Sequence, residues 1–577
     1  LLTASKGHKN MLRVQFFLLF LLISCQTKPP LLKKGPRSPS YWPTKTWKES
    51  TPEKQGMDSK KLTAMLQLLK KENYKIDNIS IIRNGFLVTD YYKYPYKKEK
   101  KHIIHSVTKS ILSALVGIAI DKGYIKSVNA KVIDFFPQKL SSENKNRLKD
   151  LTLEHLLMMS SGLKTEDNWR YKWKGLIKMR GQEDWVQYLL DLPLESPPGK
   201  KFNYSNGVSY LISALLFKAT RKKPQDFAQK YLFNPLGISK SNIKWQLDPV
   251  GTHIGWGGMH MRPRDMAKFG LLYLNKGKWE DKQIISKKWI EASTKTHLKS
   301  DLYQNYGYQW WNGPAMYRLD KLWRNRWNFT FSKKEPSENY YMAVGFMGQF
   351  IYIIPDRNMV VVFTSHLPIE KGKNFIPKAL LDEYILPSVI SNSSLKENKG
   401  IHQKFNSLIS HAKKERPFIW LSQNEGLKRK NVFKRADSPS FSLDFPAGST
   451  QSKLMTDQEI MALNTPMGAR ISINLDSISK GVPLEKNGGI IKENLKKAGD
   501  NVRLVKNEVI HLKDQTKVLK STIEWNFLTL FPVRTIALSI YKKGKLITIT
   551  YSYDSLEKSS KSYFERDFKI ILDGLIF

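Results

Sequence analysis

Ser106 and Lys109 are the residues whose types and spacing most directly suggest chemistry. They stand three positions apart, and apolar residues recur at helical spacing behind them over 110–120, up to a stop signal at Lys122 and Gly123. This pattern predicts a mostly buried helix that carries both side chains on one face of its first turn. Partial burial lowers the pKa of a lysine, so Lys109 could help to remove the proton of the Ser106 hydroxyl.

The start of the predicted helix adds backbone N–H groups where a negative oxygen would form beside Ser106. The spacing alone is weak evidence, because Ser142 and Lys145 repeat it in a charged, loop-like stretch with no apolar helix behind it. A serine before a helix is also a common N-cap. Whether Ser106 is a nucleophile or a cap therefore depends on the rest of the chain.

Tyr204 and Asn206 form a second polar group. They follow a proline- and glycine-rich turn at 197–199 and precede an apolar helix expected over 208–219. A loop held between rigid elements often carries catalytic side chains. Tyr204 could carry a proton if a neighbouring ammonium lowers its pKa, and Asn206 could orient the substrate and the lysine. Taken alone, the tripeptide fits a buried structural tyrosine better than a catalytic one.

The composition limits the kinds of partner that the protein could bind. The chain has 577 residues, with 95 Lys and Arg against 51 Asp and Glu, which gives a formal net charge of +44. The length predicts two to four domains. The charge favours anionic surfaces such as phospholipid headgroups or anionic envelope polymers, although lysines spread over solvated faces explain it as well. The chain has no arginine-rich block or nucleic-acid-binding motif, so we expect no nucleic-acid partner.

An apolar run at 14–23 in the N-terminal region, too short to span a bilayer comfortably, leads into Cys25, which is the only cysteine. This pattern resembles a bacterial lipoprotein signal. The resemblance implies that Cys25 is lipidated and holds the protein to a membrane of the bacterial cell envelope, on the periplasmic or outer-membrane face. A buried apolar cysteine is the alternative. We expect residues 1–25 to form the signal region and residues 26–45, rich in Pro, Lys and Ser, to form a tether.

The following chain reads as two folded regions around a polar linker at 391–402. Asn84-Gly85 between two apolar runs is a strong hairpin signal. The first region also has an expected helix over 59–73, a short helix over 151–163 closed by glycine, a strand-like piece at 306–311, a β-hairpin over 341–364 and a helix over 375–390. The second region, 403–577, reads as a small α+β domain of unknown role with expected strands at 441–446, 470–475, 535–541 and 546–553, and a helix at 561–572.

Three motifs in order carry a family resemblance: Ser-Val-Thr-Lys at 106–109, Tyr-Ser-Asn at 204–206 and Gly-Phe-Met-Gly-Gln at 345–349. With these, residues 46–390 resemble the serine β-lactamase-like superfamily, especially its class C and penicillin-binding-protein-like esterase branch. The resemblance implies a β-lactamase-like transpeptidase fold, which is an antiparallel sheet flanked by helices plus an all-helical region, followed here by the second, small α+β domain.

The resemblance also implies an acyl-enzyme mechanism. Ser106 would attack a carbonyl with help from Lys109 and Tyr204, and the backbone N–H groups of Ser106 and Gln349 would form the oxyanion hole. Water would then release the acyl group, and the reaction would need no metal or other cofactor. The expected substrate and oxyanion residues are Asn206, Phe346, Met347, Gly348 and Gln349.

Phe346 and Met347 depart from the family pattern. Relatives usually present Lys or His where this chain has Phe346, and a small residue where it has Met347; that cation helps to seat the carboxylate of β-lactams. The departure argues against a penicillinase and favours an ester or an uncharged amide as substrate. It is also compatible with a degraded pocket that no longer hydrolyses.

Two functions therefore remain open. The first is a membrane-anchored serine hydrolase, with carboxylesterase or amidase activity favoured over penicillinase activity. The second is a non-catalytic envelope-binding lipoprotein that keeps the pocket for recognition. Retention of Ser106, Lys109 and Tyr204 together favours the enzyme, because binding alone does not require that trio.

Overall fold

The computed structural model describes residues 39–554 with gaps. The residues outside the description are 1–38, 73, 95, 168–172, 299–304, 313–339, 368–374, 414–430, 434–440, 444–449, 452–458, 465–469, 477–491, 493–498, 512–516, 528–530, 543–544 and 555–577.

The helices are α1 (Ser59–Glu72), α2 (Val107–Asp121), α3 (Ser142–Leu148), α4 (Leu153–Leu157), α5 (Lys174–Arg180), α6 (Trp185–Asp191), α7 (Asn206–Thr220), α8 (Pro224–Ala228), α9 (Pro263–Leu274), α10 (Lys287–Thr294), α11 (Ile376–Leu380), α12 (Leu386–Ser388) and α13 (Lys399–Lys413). The strands are β1 (Ile76–Arg83), β2 (Phe86–Tyr92), β3 (His102–Ile103), β4 (Lys244–Trp245), β5 (Met259–Met261), β6 (Lys278–Trp279), β7 (Lys282–Gln283), β8 (Trp311–Asn312), β9 (Tyr341–Gly345), β10 (Gln349–Ile354), β11 (Met359–Ser365), β12 (Asn431–Phe433), β13 (Phe441–Leu443), β14 (Thr450–Gln451), β15 (Glu459–Asn464), β16 (Arg470–Asp476), β17 (Gly499–His511), β18 (Lys517–Phe527), β19 (Phe531–Lys542) and β20 (Lys545–Asp554).

A six-stranded antiparallel sheet in the order β2-β1-β11-β10-β9-β8 forms the centre of the first region. Neighbouring residues of a strand point to opposite faces, and here both faces are covered. In β11, Val360 and Val362 join one apolar cluster with α2, α7 and α9, whereas Val361 and Phe363 join another with α1 and α11. This double burial explains why the sequence is continuously apolar over 350–354 in β10 and over 359–363 in β11.

The Asn84-Gly85 hairpin is confirmed. Both residues have positive φ, 52° and 86°, which a two-residue primed turn requires, and Arg83 pairs with Phe86 across it. The helix expected over 59–73 is α1, and its buried face carries Leu62, Met65, Leu66 and Leu69.

The helix behind Ser106 is also confirmed, as α2, and it lies against α7 in the helical region. Nearly every residue of α2 is buried. Gly117 lies so close to the ring of Trp289 from α10 that a Cβ atom there would overlap it. Two other expectations need correction: the stretch at Ser142 is a short, largely exposed helix (α3) rather than a loop, and α4 ends at Leu157, before Gly162.

The last described part of the expected tether, 39–45, is packed on the folded body. Trp42 lies against the larger apolar cluster, and Thr44 accepts hydrogen bonds from Lys268 and from the Trp279 indole, which a free tether would not do. The expected linker, 391–402, overlaps the start of α13, which packs on α1 and β2 and buries Phe405.

The second region contains a seven-stranded antiparallel sheet in the order β14-β15-β16-β20-β19-β18-β17. The strands expected at 470–475, 535–541 and 546–553 are β16, β19 and β20, and Lys542 pairs with Lys545 at the turn between the last two. The strand expected at 441–446 is described as β13, over Phe441–Leu443. The long strands β17 and β18 were not expected, and the helix expected at 561–572 lies outside the described residues.

Across the part of the chain that the structure describes, no helix combines the length and the apolar composition needed to cross a bilayer.

Candidate active site

Ser106 occupies the N-cap position of α2, but its side chain makes no capping hydrogen bond. His105 before it has a φ of 45°, an uncommon conformation for a residue other than glycine. Ser106 Oγ instead accepts a hydrogen bond from Lys109 Nζ at 3.2 Å. Ser106 is thus an N-cap by its backbone position only, because its hydroxyl contacts Lys109 rather than the N–H groups of the helix.

Lys109 is buried, with a relative accessibility of 2%. Its Nζ donates three hydrogen bonds: to Ser106 Oγ, to Asn206 Oδ1 at 2.8 Å and to the Trp256 carbonyl at 3.0 Å. These match the three N–H groups of an ammonium. Burial lowers the pKa of Lys109 to about 7, although the Asp167 carboxylate opposes part of that shift. Near neutral pH a substantial fraction of the amine is therefore unprotonated and can accept the Ser106 proton.

Tyr204 lies on the other side of the lysine. Lys109 Nζ is 4.9 Å from the centroid of the Tyr204 ring, and this ring stacks on Trp311 with centroids 5.9 Å apart. Ser205 caps α7 by accepting from the Val208 N–H, so Tyr204 precedes the helix and Asn206 is its first residue. This cap explains how two residues of one short motif both reach Lys109.

Asp167 holds the Tyr-Ser-Asn motif in place through hydrogen bonds. No spacing in the sequence predicted this role. Its Oδ2 accepts from the Gly207 N–H at 2.6 Å and from Ser205 Oγ at 3.1 Å, and its carbonyl accepts from Asn206 Nδ2 at 3.1 Å. Burial raises the pKa of the Asp167 carboxyl to about 6, against the lowering effect of these hydrogen bonds. The carboxylate sits at the positive end of α7, where a negative charge is favoured.

Phe346 lies beside the start of α2. Its ring packs edge-on against His105, with centroids 5.7 Å apart, and against Trp173 at 6.0 Å. Gly345 comes so close to the Ile104 carbonyl that a side chain there would overlap it. The end of β9 therefore lies against the residues just before Ser106, with aromatic rather than charged side chains around it.

Met347, Gly348 and Gln349 form the turn and the start of β10. Ser365 Oγ lies 2.6 Å from the Met347 carbonyl oxygen and 2.8 Å from the Gly348 carbonyl oxygen, so both carbonyls share its single O–H donor. Gln349 is fully buried, pairs with Gly345 in the ladder, and its side-chain amide donates to the Ser365 and Phe346 carbonyls. The Gln349 side chain is thus a support for the turn, and its backbone role in an oxyanion hole stays a prediction.

The structure therefore brings Ser106, Lys109, Tyr204 and Asn206 together and sets Phe346 beside them. Cys25, the expected lipidation site, lies outside the described residues. Sequence reasoning missed Asp167 and the Trp256 carbonyl; a backbone oxygen leaves no signal in residue type.

Comparison with known proteins finds relatives of this chain. A 6-aminohexanoate-dimer hydrolase of Paenarthrobacter ureafaciens is 22% identical over 228 residues, which are 37% of this chain and 56% of that protein. Beta-lactamase-like protein 2 of Dictyostelium discoideum is 24% identical over 227 residues, 35% of this chain and 41% of that protein. The chain thus spans about half the length of the curated relatives it matches.

Solved structures to which this chain is similar include a penicillin-binding protein homologue from Caulobacter crescentus, with a TM-score of 0.42 and 14% identity over 56% of this chain and 97% of that one. A family VIII carboxylesterase has a TM-score of 0.43 and 15% identity over 59% of this chain and 98% of that one. The model of the family described as Beta-lactamase matches residues 74–381, just over half of this chain. The chain belongs to the β-lactamase family.

Proposed function

We propose that this protein is a serine hydrolase that works through an acyl-enzyme at Ser106. The observation that carries the proposal is the buried Lys109, whose Nζ joins Ser106 Oγ and Asn206 Oδ1. Lys109 in its neutral form takes the Ser106 proton as Oγ attacks the carbonyl carbon. The proton then passes to the leaving group, and Tyr204, whose ring lies against the amine, is positioned to help.

The tetrahedral oxygen needs donors near the start of α2. The Ser106 N–H is one, at the end of the helix that favours a negative charge. The second donor is a backbone N–H of the β9–β10 turn, for which the motif suggests Gln349; the approach of Gly345 and Phe346 to residues 104–105 supports a contribution from this turn. Water then attacks the acyl carbonyl and releases Ser106.

The substrate is an ester or an uncharged amide. Phe346 stands where the family usually has a cation, and its neighbours His105 and Trp173 add ring surface rather than positive charge. Burial, together with the nearby His102, holds the pKa of His105 well below its usual range, so this ring is neutral at pH 7. A pocket lined by these neutral rings favours an acyl or leaving group without a carboxylate. The lining therefore disfavours penicillinase activity.

We also propose a cellular location for the enzyme. Lipidation of Cys25 would anchor it to the bacterial envelope, where the net charge of +44 favours anionic lipid or polymer surfaces. The substrate would then be a small ester or amide, or an envelope component of that chemistry.

Hydrolysis of activated aryl esters tests the proposal. We expect Ser106→Ala to lower kcat/KM by roughly 10⁶-fold, in line with the loss of another serine nucleophile. Ser142→Ala is the matched control, because Ser142 begins the exposed second Ser-x-x-Lys and should leave the rate unchanged. Equal rates for all three proteins would reject Ser106 as the nucleophile. No turnover by folded wild-type protein over a range of acyl lengths and amides would favour the non-catalytic, envelope-binding alternative.

A further inference from the structure

A second polar cluster lies beside the chain that leads into Ser106. It consists of Asp77 on β1, His102 on β3 and His366 just after β11, and one ligand atom from each lies within 4.8 Å of the others. Asp77 Oδ2 is 3.0 Å from His102 Nε2 and 2.6 Å from His366 Nδ1. Three separate segments therefore direct one oxygen and two imidazole nitrogens to a common point.

The hydrogen bonding of His102 requires a cation at this point. Its Nδ1 lies 2.8 Å from the Ile103 carbonyl, which can only accept, so Nδ1 carries the hydrogen. In a neutral ring Nε2 then has a lone pair that faces the Asp77 carboxylate. Two acceptors at 3.0 Å repel each other unless a proton or a metal ion lies between them. An Nδ1–H bonded to a backbone carbonyl is also the usual outer-shell arrangement of a metal-binding histidine.

We infer that Asp77, His102 and His366 form a binding site for a divalent first-row transition-metal ion, for which zinc is the natural probe. Two imidazoles and one carboxylate suit Zn²⁺ and its neighbours, whereas Mg²⁺ and Ca²⁺ prefer oxygen ligands alone. Three protein ligands with one position left for water is a common zinc arrangement.

The geometry requires only a small adjustment. Two ligand atoms on one tetrahedral zinc stand roughly 3.3 Å apart, since each bond is about 2.0–2.1 Å long. The Asp77 contacts of 3.0 and 2.6 Å must therefore open by about 0.3 Å and about 0.7 Å. His366 is the ring that can move, because its side chain is 28% exposed while that of His102 is 1% exposed. That exposure also gives the ion and a water molecule access.

The surroundings favour a positioning role for this ion. The ring of Tyr96 packs against both histidines, with centroids 5.1 and 5.7 Å away, and closes one side of the cluster. His102 is four residues before Ser106, and the His366 N–H bonds to the Lys75 carbonyl just before β1. An ion bound here would tie three segments together behind His105. It takes no part in the acyl-enzyme chemistry, so the site stands or falls independently of the proposed function.

The test uses the full chain without an affinity tag, stripped with a chelator and then dialysed against Zn²⁺ with the bound metal counted. We expect one equivalent in the wild type. His366→Ala should weaken binding by about 100-fold or more, because even outer-shell changes cost 10–100-fold. His402→Ala, which removes a partly exposed histidine on α13 outside the cluster, should retain full binding.

A spectroscopic measurement on the wild type tests the site without any substitution. Co²⁺ at the site should give the intense visible bands of a four-coordinate ion, and Zn²⁺ should displace them. Absence of stoichiometric Zn²⁺ binding by the wild type would overturn the inference and leave a proton as the cation between His102 and Asp77. Binding that His366→Ala leaves unchanged, or cobalt bands typical of six-coordinate hydrated ions, would overturn it equally.

Discussion

At the scale of single residues, the proposed catalysis depends on a lysine that is buried beside a serine. An ordinary lysine has a pKa near 10.4 and would hold its proton at pH 7. Lys109 is buried and makes three hydrogen bonds, and this burial lowers its pKa to about 7. The same burial makes this site sensitive to the charge of its neighbours, above all Asp167.

The pH dependence of acylation follows from this value. Only neutral Lys109 accepts a proton, so kcat/KM for an aryl ester should rise with pH, with a midpoint near 7, and level off above about pH 8. Asp167→Asn removes a negative charge that raises the pKa of Lys109, so the midpoint should move to lower pH. Glu166→Gln, the neighbouring carboxylate, should leave it in place. A midpoint that is the same in all three proteins would show that Lys109 is not the titrating base.

The side chain at position 346 should set the charge preference of the pocket. Phe346→Lys adds a cation where the ring now packs on His105 and Trp173, and a charged hydrogen bond to a carboxylate is worth about 1.5–3 kcal/mol. We expect the ratio of acylation by a penicillin to acylation by a neutral ester to rise at least tenfold. Phe346→Leu, which stays apolar, is the control. An unchanged ratio in Phe346→Lys would mean that the substrate carboxylate lies elsewhere.

At the scale of elements, the site depends on how α2, α7 and the β9–β10 turn are held. The Ser205 cap and Asp167 fix the start of α7, Ser365 fixes the turn, and the close approach of Gly117 to Trp289 fixes α2 against α10. None of these contacts involves Ser106, Lys109 or Tyr204 themselves. Each restricts where a catalytic side chain can point.

Gly117→Ala tests the packing of α2. Alanine in a helix is normally favoured over glycine by about 1 kcal/mol, but here the added Cβ overlaps the Trp289 ring. We expect the free energy of unfolding, measured with urea, to fall by about 1–3 kcal/mol, as in other overpacked cores. Gly400→Ala, in the exposed first turn of α13, should leave it equal or higher. Stabilisation by both substitutions would contradict the close packing.

Local chemistry explains which elements could be predicted from the sequence. The Asn84-Gly85 turn and the apolar spacing of α1 and α2 carry their own structural preferences, and these elements agree with the structure. The strand β3 is two residues long and exists because a distant partner, β5, pairs with it, so no local pattern marks it. The strand-like piece expected at 306–311 reaches a strand only at its last residue, where β8 begins and pairs with β9. The strands β17 and β18 contain many polar and charged residues, which obscured their alternation.

The same reasoning applies to the site. Residue type and motif order were enough to predict that Ser106, Lys109, Tyr204 and Asn206 lie close together, as they do in the structure. Asp167 could not be found, because it acts on a distant motif, through the Ser205 hydroxyl 38 residues later and the Gly207 N–H 40 residues later. The orientation of Gln349 depends on Ser365, a contact between two strands that no motif records.

At the scale of the whole molecule, the chain joins a family domain to a second antiparallel sheet and carries a large positive charge. The anchor proposed at Cys25 can be tested by fractionating bacterial cells that express the full chain. We expect the wild type in the membrane fraction with incorporated labelled palmitate. Cys25→Ser should lose the label and move to the soluble fraction. Label retained in Cys25→Ser would place the lipid at another residue or show that the label is not specific.

The most direct test of the central claim is to trap the acyl-enzyme. Wild-type protein is mixed with an activated aryl ester, quenched in acid and analysed by intact mass and by mapping of its peptides. We expect one added acyl group per chain on the peptide that contains Ser106, and none in Ser106→Ala. An adduct on any other residue, or hydrolysis that proceeds unchanged in Ser106→Ala, would contradict that claim.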